Sequence, residues 1–364
     1  MPSSEAPNQH HPFATAPTTP SLPEEYWYRA LYPEDEDQGD PYVLVSPDPE
    51  STRFAFYLYV TCAGDTAGGW AFTVYGSQDL RKWHKMVRTL KTEEGKACWA
   101  PAVVYVPELD RPYVMLYSQG AGVGPLAHQN QRIYRADALM PEGPFIPSGH
   151  PLTPNVDFAI DPDLFELPDG TWRIVCATDF DAPSDFSSGR CVGTGLAVGR
   201  LNRSLTDWVE PLSEMARASA DWHVYNPDRK DQYWKTWFKE GQGVRWYCME
   251  APASVDENTI IYSGGNYGAY YAMGVLHRST EGTWIDQSTE PSNALVRPVP
   301  SAGFFGPGHG MVFTDPEHSQ RYLVFHAKYG SNEAPRQFAI APLFEGRDGA
   351  VICPDVPPSL VNHG

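Results

Sequence analysis

The chain is interrupted at short, regular intervals. Runs rich in Val, Ile, Tyr, Phe and Thr alternate with Gly, Pro, Asp and Asn. Examples are 54–61 (FAFYLYVT), 102–106 (AVVYV), 113–118 (YVMLYS), 171–177 (TWRIVCA), 259–263 (TIIYS) and 322–327 (YLVFHA). Runs of this length and composition, flanked by turn residues, predict strands. Helical periodicity is scarce; only 204–217 and 229–239 predict short helices.

The strands pair with a shared grammar. An apolar run carrying a small motif is followed by a polar or Gly turn and then an aromatic-rich strand. The pairs open at Asp40, Trp99, Asp161, Glu250 and Gly308, which lie 59, 62, 89 and 58 residues apart. Five units of similar size, with extra sequence in the third or fourth, predict an all-β fold, a five-bladed β-propeller. In that architecture the first strand of each blade lines the central channel, so the leading motifs meet at one end of it. An all-β sandwich would leave the distinctive polar residue at each opening unexplained. Residues 1–23, rich in Pro, Ser, Thr and His, predict a flexible tail, and residues 24–364 a single propeller domain.

Composition narrows the function. A net charge of −18, spread along the chain, disfavours nucleic acid and anionic membrane surfaces, which attract basic patches. The six cysteines include no CxxC pair, so zinc-ribbon and thioredoxin chemistry is excluded, and reduced, mostly buried thiols are expected. The start has no basic segment followed by an apolar one, and no run reaches the ~18–20 apolar residues of a membrane span. A cytoplasmic protein is expected, or a secreted one if a signal has been removed.

Three units open with a carboxylate beside a proline: Gly39-Asp40-Pro41, Ala159-Ile160-Asp161-Pro162 and Met249-Glu250-Ala251-Pro252. A single Asp-Pro reads as a turn, as Asp48-Pro49 and Asp315-Pro316 do. Three acids opening corresponding units point to shared chemistry. Hydrolysis of a glycosidic bond needs one protonated and one ionised carboxyl across the bond, and a third carboxylate nearby raises the acid's pKa. His309, between glycines, reads either as a ligand of a metal or water or as a packed axis residue. Trp222, Trp234, Trp237 and Trp246 read as packing residues or as walls of a sugar site.

The ordered set of motifs resembles glycoside hydrolase family 43. It comprises Gly39-Asp40-Pro41, Trp99-Ala100-Pro101-Ala102, Ile160-Asp161-Pro162-Asp163, Glu250-Ala251-Pro252, Tyr262-Ser263-Gly264-Gly265, Tyr271-Ala272-Met273-Gly274, Gly306-Pro307-Gly308-His309, Phe325-His326-Ala327 and Arg336-Gln337-Phe338-Ala339. The resemblance implies a five-bladed propeller and an inverting mechanism. Asp40 is then the general base, Asp161 the residue that positions substrate and raises the acid's pKa, and Glu250 the general acid. Trp99, His309 and Arg336 line the substrate site. His309 sits near a structural calcium ion or water at the axis, and no other cofactor is implied. Ala251, Asp163 and Gly310 depart from the residues common in the family, which leaves the subfamily and the sugar open.

The implied activity is exo-acting release of terminal α-L-arabinofuranose or β-D-xylose from plant-type oligo- or polysaccharides. An endo-arabinanase, an exo-galactanase, a galactofuranosidase and a non-catalytic carbohydrate-binding propeller stand as alternatives. The retaining invertase-like propellers carry an Asn-Asp-Pro-Asn-Gly opening, where this chain has Gly39-Asp40-Pro41-Tyr42.

Overall fold

A computed structural model describes residues 37–61, 67–122, 126–230, 235, 239–346 and 350–354. The expected tail, Cys62, Trp234 and Trp237 lie outside the described residues. Nearly all regular structure is strand, as the short β runs predict. The first unit is β1 (Gly39–Val45), β2 (Phe56–Thr61), β3 (Trp70–Ser77) and β4 (His84–Lys91). The second is β5 (Cys98–Tyr105), β6 (Tyr113–Gln119), β7 (Arg132–Ala138) and β8 (Ile146–Pro151). The third is β9 (Ala159–Glu166), β10 (Trp172–Phe180), β11 (Gly193–Leu201) and β12 (Trp208–Ala216). After β13 (Val224–Arg229) comes the fourth: β14 (Val244–Ser254), β15 (Thr259–Gly265), β16 (Tyr271–Arg278) and β17 (Trp284–Asp286). The fifth is β18 (Phe304–Thr314), β19 (Arg321–Tyr329), β20 (Gln337–Glu345) and β21 (Val351–Ile352).

Within each unit successive strands pair antiparallel. The third and fourth join through a short parallel pairing of β11 with β14, Gly193 opposite Tyr247 and Thr194 opposite Cys248. The first strands touch in succession: β1 against β5, β5 against β9, β9 against β14, β14 against β18, and β18 against β1. The extra sequence expected in the third or fourth unit lies between β12 and β14 and contributes β13.

The second strands explain why the apolar runs are continuous. Adjacent residues point to opposite faces of a sheet, and here both faces are covered. Met115 packs toward the first unit and Leu116 toward the third. Ile174 faces the second unit and Val175 the fourth. Ile260 and Ile261 divide in the same way, as do Leu323 and Val324. Each unit is therefore clamped between two apolar clusters.

The short helix expected over 204–217 is not present. Its place is taken by β12, an edge strand paired only with β11 and largely exposed. Pro211 within it has no N–H to give a ladder, which an edge strand tolerates and a helix interior does not. The 229–239 expectation fails at its start, where Arg229 ends β13; most of its remainder lies outside the described residues. The only α-helix among the described residues is Pro183–Ser187, and none is long and apolar enough to cross a membrane.

Ile340 is fully buried between the fifth and first units. Ile340→Ala is expected to lower the unfolding free energy by about 2–5 kcal/mol, read from equilibrium urea denaturation. A loss below about 1 kcal/mol would mean that the units are not clamped there.

Candidate active site

Each first strand carries a bulge, and at each bulge one non-glycine residue takes a positive φ. They are Asp40 (φ 51), Ala100 (φ 52), Asp161 (φ 56), Ala251 (φ 49) and His309 (φ 52). The register breaks at the same places: after Gly39, Trp99, Ile160, Glu250 and Gly308. A left-handed L-residue costs about 1–2 kcal/mol, so the repetition marks a conformation that the surroundings enforce. Pro follows four of the five. Lacking an N–H, it suits the unpaired position of a bulge.

This register corrects the alignment of the acids. Asp40 and Asp161 hold the bulge position itself, together with Ala100, Ala251 and His309. Glu250 stands one residue earlier, in the place of Gly39, Trp99, Ile160 and Gly308. Side chains at consecutive positions leave the strand in different directions. Glu250 therefore enters the site from another angle than the two aspartates.

Two glycines beside the bulges are required by close approach. A Cβ on Gly39 would collide with the Arg336 guanidinium, and one on Gly308 with the Tyr271 ring. Both partners are in the site. Arg336 Nη1 donates to Asp40 Oδ1 at 2.8 Å, and Nε donates to Asp37 Oδ1 at 3.0 Å. Tyr271 Oη donates to Glu250 Oε1 at 2.8 Å.

The electrostatics separate the carboxyls. Burial pushes Asp40 up, but Arg336, with lesser help from His309 and His326, outweighs it and holds Asp40 well below the usual carboxylate range. His309 Nδ1 lies 3.2 Å from Asp40 Oδ1. Burial lowers both histidines, so both are neutral at pH 7. Burial also opposes the charge of Arg336, but Asp40 and Asp37 keep it protonated. Asp161 is raised well above the carboxylate range by burial and then by the like charges of Glu250 and Asp40. Glu250 is raised by desolvation and by Asp40, against hydrogen bonds from Cys248 and Tyr271. Asp161 and Glu250 therefore titrate together and hold a proton where Asp40 has none.

All six residues singled out in the sequence, Asp40, Trp99, Asp161, Glu250, His309 and Arg336, line one cavity of about 1350 Å³. Trp99 meets His128 edge to face, 5.2 Å between ring centroids. The sequence reading missed several neighbours. Asp37 sits in an acidic run with nothing to distinguish it, and Cys248 looks like an ordinary strand thiol. Asp179 and Lys235, paired at 2.7 Å on the cavity wall, carry no local motif. Trp246 is buried beneath Arg229 and borders the cavity, whereas Trp222 packs on His223 and Tyr262.

The family model described as glycosyl hydrolases family 43 matches residues 42–184, a stretch that includes Trp99 and Asp161. Over that stretch the chain is similar to the glycoside hydrolases of family 43. Three solved structures resemble it in fold. A thermostable family-43 glycoside hydrolase is 24% identical, with a TM-score of 0.64, over 87% of this chain and 93% of that one. An endo-1,4-beta-xylanase from Bacteroides thetaiotaomicron is 23% identical, with a TM-score of 0.62, over 88% and 96%. An alpha-L-arabinofuranosidase from Lactobacillus brevis is 16% identical, with a TM-score of 0.65, over 93% and 99%. No curated protein matches the chain.

The calcium that the resemblance implies does not fit a cage made by this chain's side chains. Calcium takes six to eight oxygens. Among the described residues no group of three or more His, Cys, Asp or Glu is placed to hold a metal ion. Among the bulges His309 offers nitrogen, and Asp40 is already engaged by Arg336. Asp163, one of the departures from the family pattern, is buried and raised to about 6; its Oδ2 accepts the Ser254 N–H at 2.9 Å.

The raised acid pair sets a stability prediction. A carboxyl whose folded pKa is raised binds its proton more tightly when native. It therefore costs stability progressively as pH rises above the unfolded value. Asp161→Asn removes that cost and is expected to raise Tm at pH 7 by about 2 °C or more. The gain should shrink toward pH 4, where the native wild-type pair is protonated. A variant less stable at pH 7 than at pH 4, relative to wild type, would contradict the assignment.

Proposed function

We propose that this enzyme is an inverting, exo-acting hydrolase on a five-bladed β-propeller. Its substrate is a carbohydrate, and the reading favours terminal α-L-arabinofuranose or β-D-xylose on plant-type oligo- or polysaccharides. The cyclic contacts of the five first strands support the propeller. The observation that carries the reaction is the separation of the carboxyls within one cavity: Asp40 held ionised, and Asp161 with Glu250 held partly protonated. Groups whose environments push their pKa values apart are the expected acid and base.

In the proposed reaction Asp40 accepts a proton from water, and the water oxygen attacks the anomeric carbon. Glu250 donates its proton to the glycosidic oxygen as that bond breaks. The cycle leaves Asp40 protonated and Glu250 ionised, and exchange with solvent restores both. Asp161 accepts the Ala251 N–H at 3.1 Å through Oδ2, a bond that favours charge on Asp161 against the burial and like charges that raise it; in the proposed reaction the pair's proton leaves from Glu250. Arg336 and the neutral imidazole of His309 hold Asp40, and Trp99 walls the sugar. The cavity takes its sides from Gln129, Asp157, Phe180, Tyr225 and Pro335 as well as from the first strands. Walls from several segments beyond the first strands suit a chain end better than a long open chain, and this supports exo action.

Turnover of nitrophenyl glycosides of arabinofuranose, xylose, galactofuranose and galactose tests the proposal. One of the first two sugars should be released, and Asp40→Asn should lose that activity while retaining sugar binding by calorimetry. Undiminished turnover by Asp40→Asn would remove Asp40 as the base. Glu250→Ala should slow substrates with poor leaving groups by about 100- to 10,000-fold, and activated aryl glycosides far less. Equal losses on both would remove Glu250 as the acid.

A further inference from the structure

A bulge takes the N–H of the left-handed residue out of its own ladder, and a buried N–H needs another acceptor. Four of the five find one by the same rule. The Ala100 N–H donates to Thr61 Oγ1 at 2.9 Å, and the Asp161 N–H to Ser118 Oγ at 3.2 Å. The His309 N–H donates to Ser263 Oγ at 2.8 Å, and the Asp40 N–H to His326 Nδ1 at 3.2 Å. Each acceptor stands on the second strand of the neighbouring unit. Each is also opposite the residue that precedes that unit's own bulge: Thr61 opposite Gly39, Ser118 opposite Trp99, Ser263 opposite Glu250, and His326 opposite Gly308.

In the third unit the same register position, opposite Ile160, is Ala177. It is fully buried and has no acceptor to offer. The remaining left-handed N–H, that of Ala251, turns instead to Asp161 Oδ2. This is the peptide next to Glu250. We propose that Ala177 is a positioning residue: by leaving its place in the ring of acceptors empty, it commits the Asp161 carboxylate to the backbone that carries Glu250. The catalytic consequence rests on reading Glu250 as the acid. The hydrogen-bond arrangement itself does not.

A serine at 177 would restore the rule of the other four units. Its hydroxyl would take the Ala251 N–H, and Asp161 would lose a bond that favours its charged form. Cysteine is similar in size but a much poorer acceptor, so Ala177→Cys controls for bulk.

The test is a titration of the Asp161 carboxyl, followed by carbon-13 chemical shift in aspartate-labelled protein. In wild type the Ala251 amide proton should move with the Asp161 titration, while the Ala100 and His309 amides, bonded to hydroxyls, should not. In Ala177→Ser the Asp161 midpoint should rise by about one pH unit or more, and in Ala177→Cys it should stay. A wild-type Ala251 amide indifferent to Asp161 would overturn the proposal, even if the serine variant fails to fold. So would an unmoved midpoint in the serine variant, or equal shifts in both. None of these readings needs turnover, so a protein silent on every glycoside would refute the hydrolase reading and leave this test intact. If both hold, kcat of the serine variant on substrates with poor leaving groups falls about 10-fold, with KM unchanged.

Discussion

The site depends on a backbone constraint more than on any side chain. At five bulges the chain is held at positive φ by residues that avoid it, and the positions of the carboxyls follow. Asp40 and Asp161 occupy two of these corners, His309 a third, and Glu250 precedes a fourth. Neighbouring units clasp each corner through its N–H. The strain of the corners is thus carried by the same packing between sheets that makes the fold, and a site assembled from distant segments can be rigid without a metal cage of protein side chains.

On that frame one cation sorts the acids. Arg336 lies between Asp37 and Asp40, so Asp40 keeps its charge in a buried place. Asp161 and Glu250 have no such partner. Their burial and the like charges around them keep a proton on the pair. The two glycines that a Cβ would block, Gly39 and Gly308, make this sorting possible by admitting Arg336 and Tyr271.

Much of this was legible in the sequence, and physical reasons separate what was from what was not. The strands of the second rows, such as 113–118 and 322–327, were visible because both faces are buried and the runs are continuously apolar. Asp40 and Asp161 were visible because proline follows each at a bulge. Glu250 was found, but its register was read one residue out, because an acid before Ala-Pro resembles an acid before Pro when backbone angles are not known. Asp37 was hidden in a run of acids that reads as solvent-facing charge. The 204–217 stretch looked helical because an exposed edge strand lacks the apolar alternation that marks a strand. Ala177 could not have been noticed at all, since its meaning lies in what the equivalent residues of the other units do.

The central claim is that Asp40 activates water on one side of the anomeric carbon while Glu250 protonates the leaving oxygen on the other. Carboxyl placement decides the stereochemical outcome of such a reaction. The most direct measurement is the anomeric configuration of the first-formed sugar, followed by proton NMR before mutarotation. The account predicts a product of inverted configuration. A product that retains the substrate's configuration would show a covalent glycosyl-enzyme intermediate, and would contradict the assignment of Asp40 as a base acting through water.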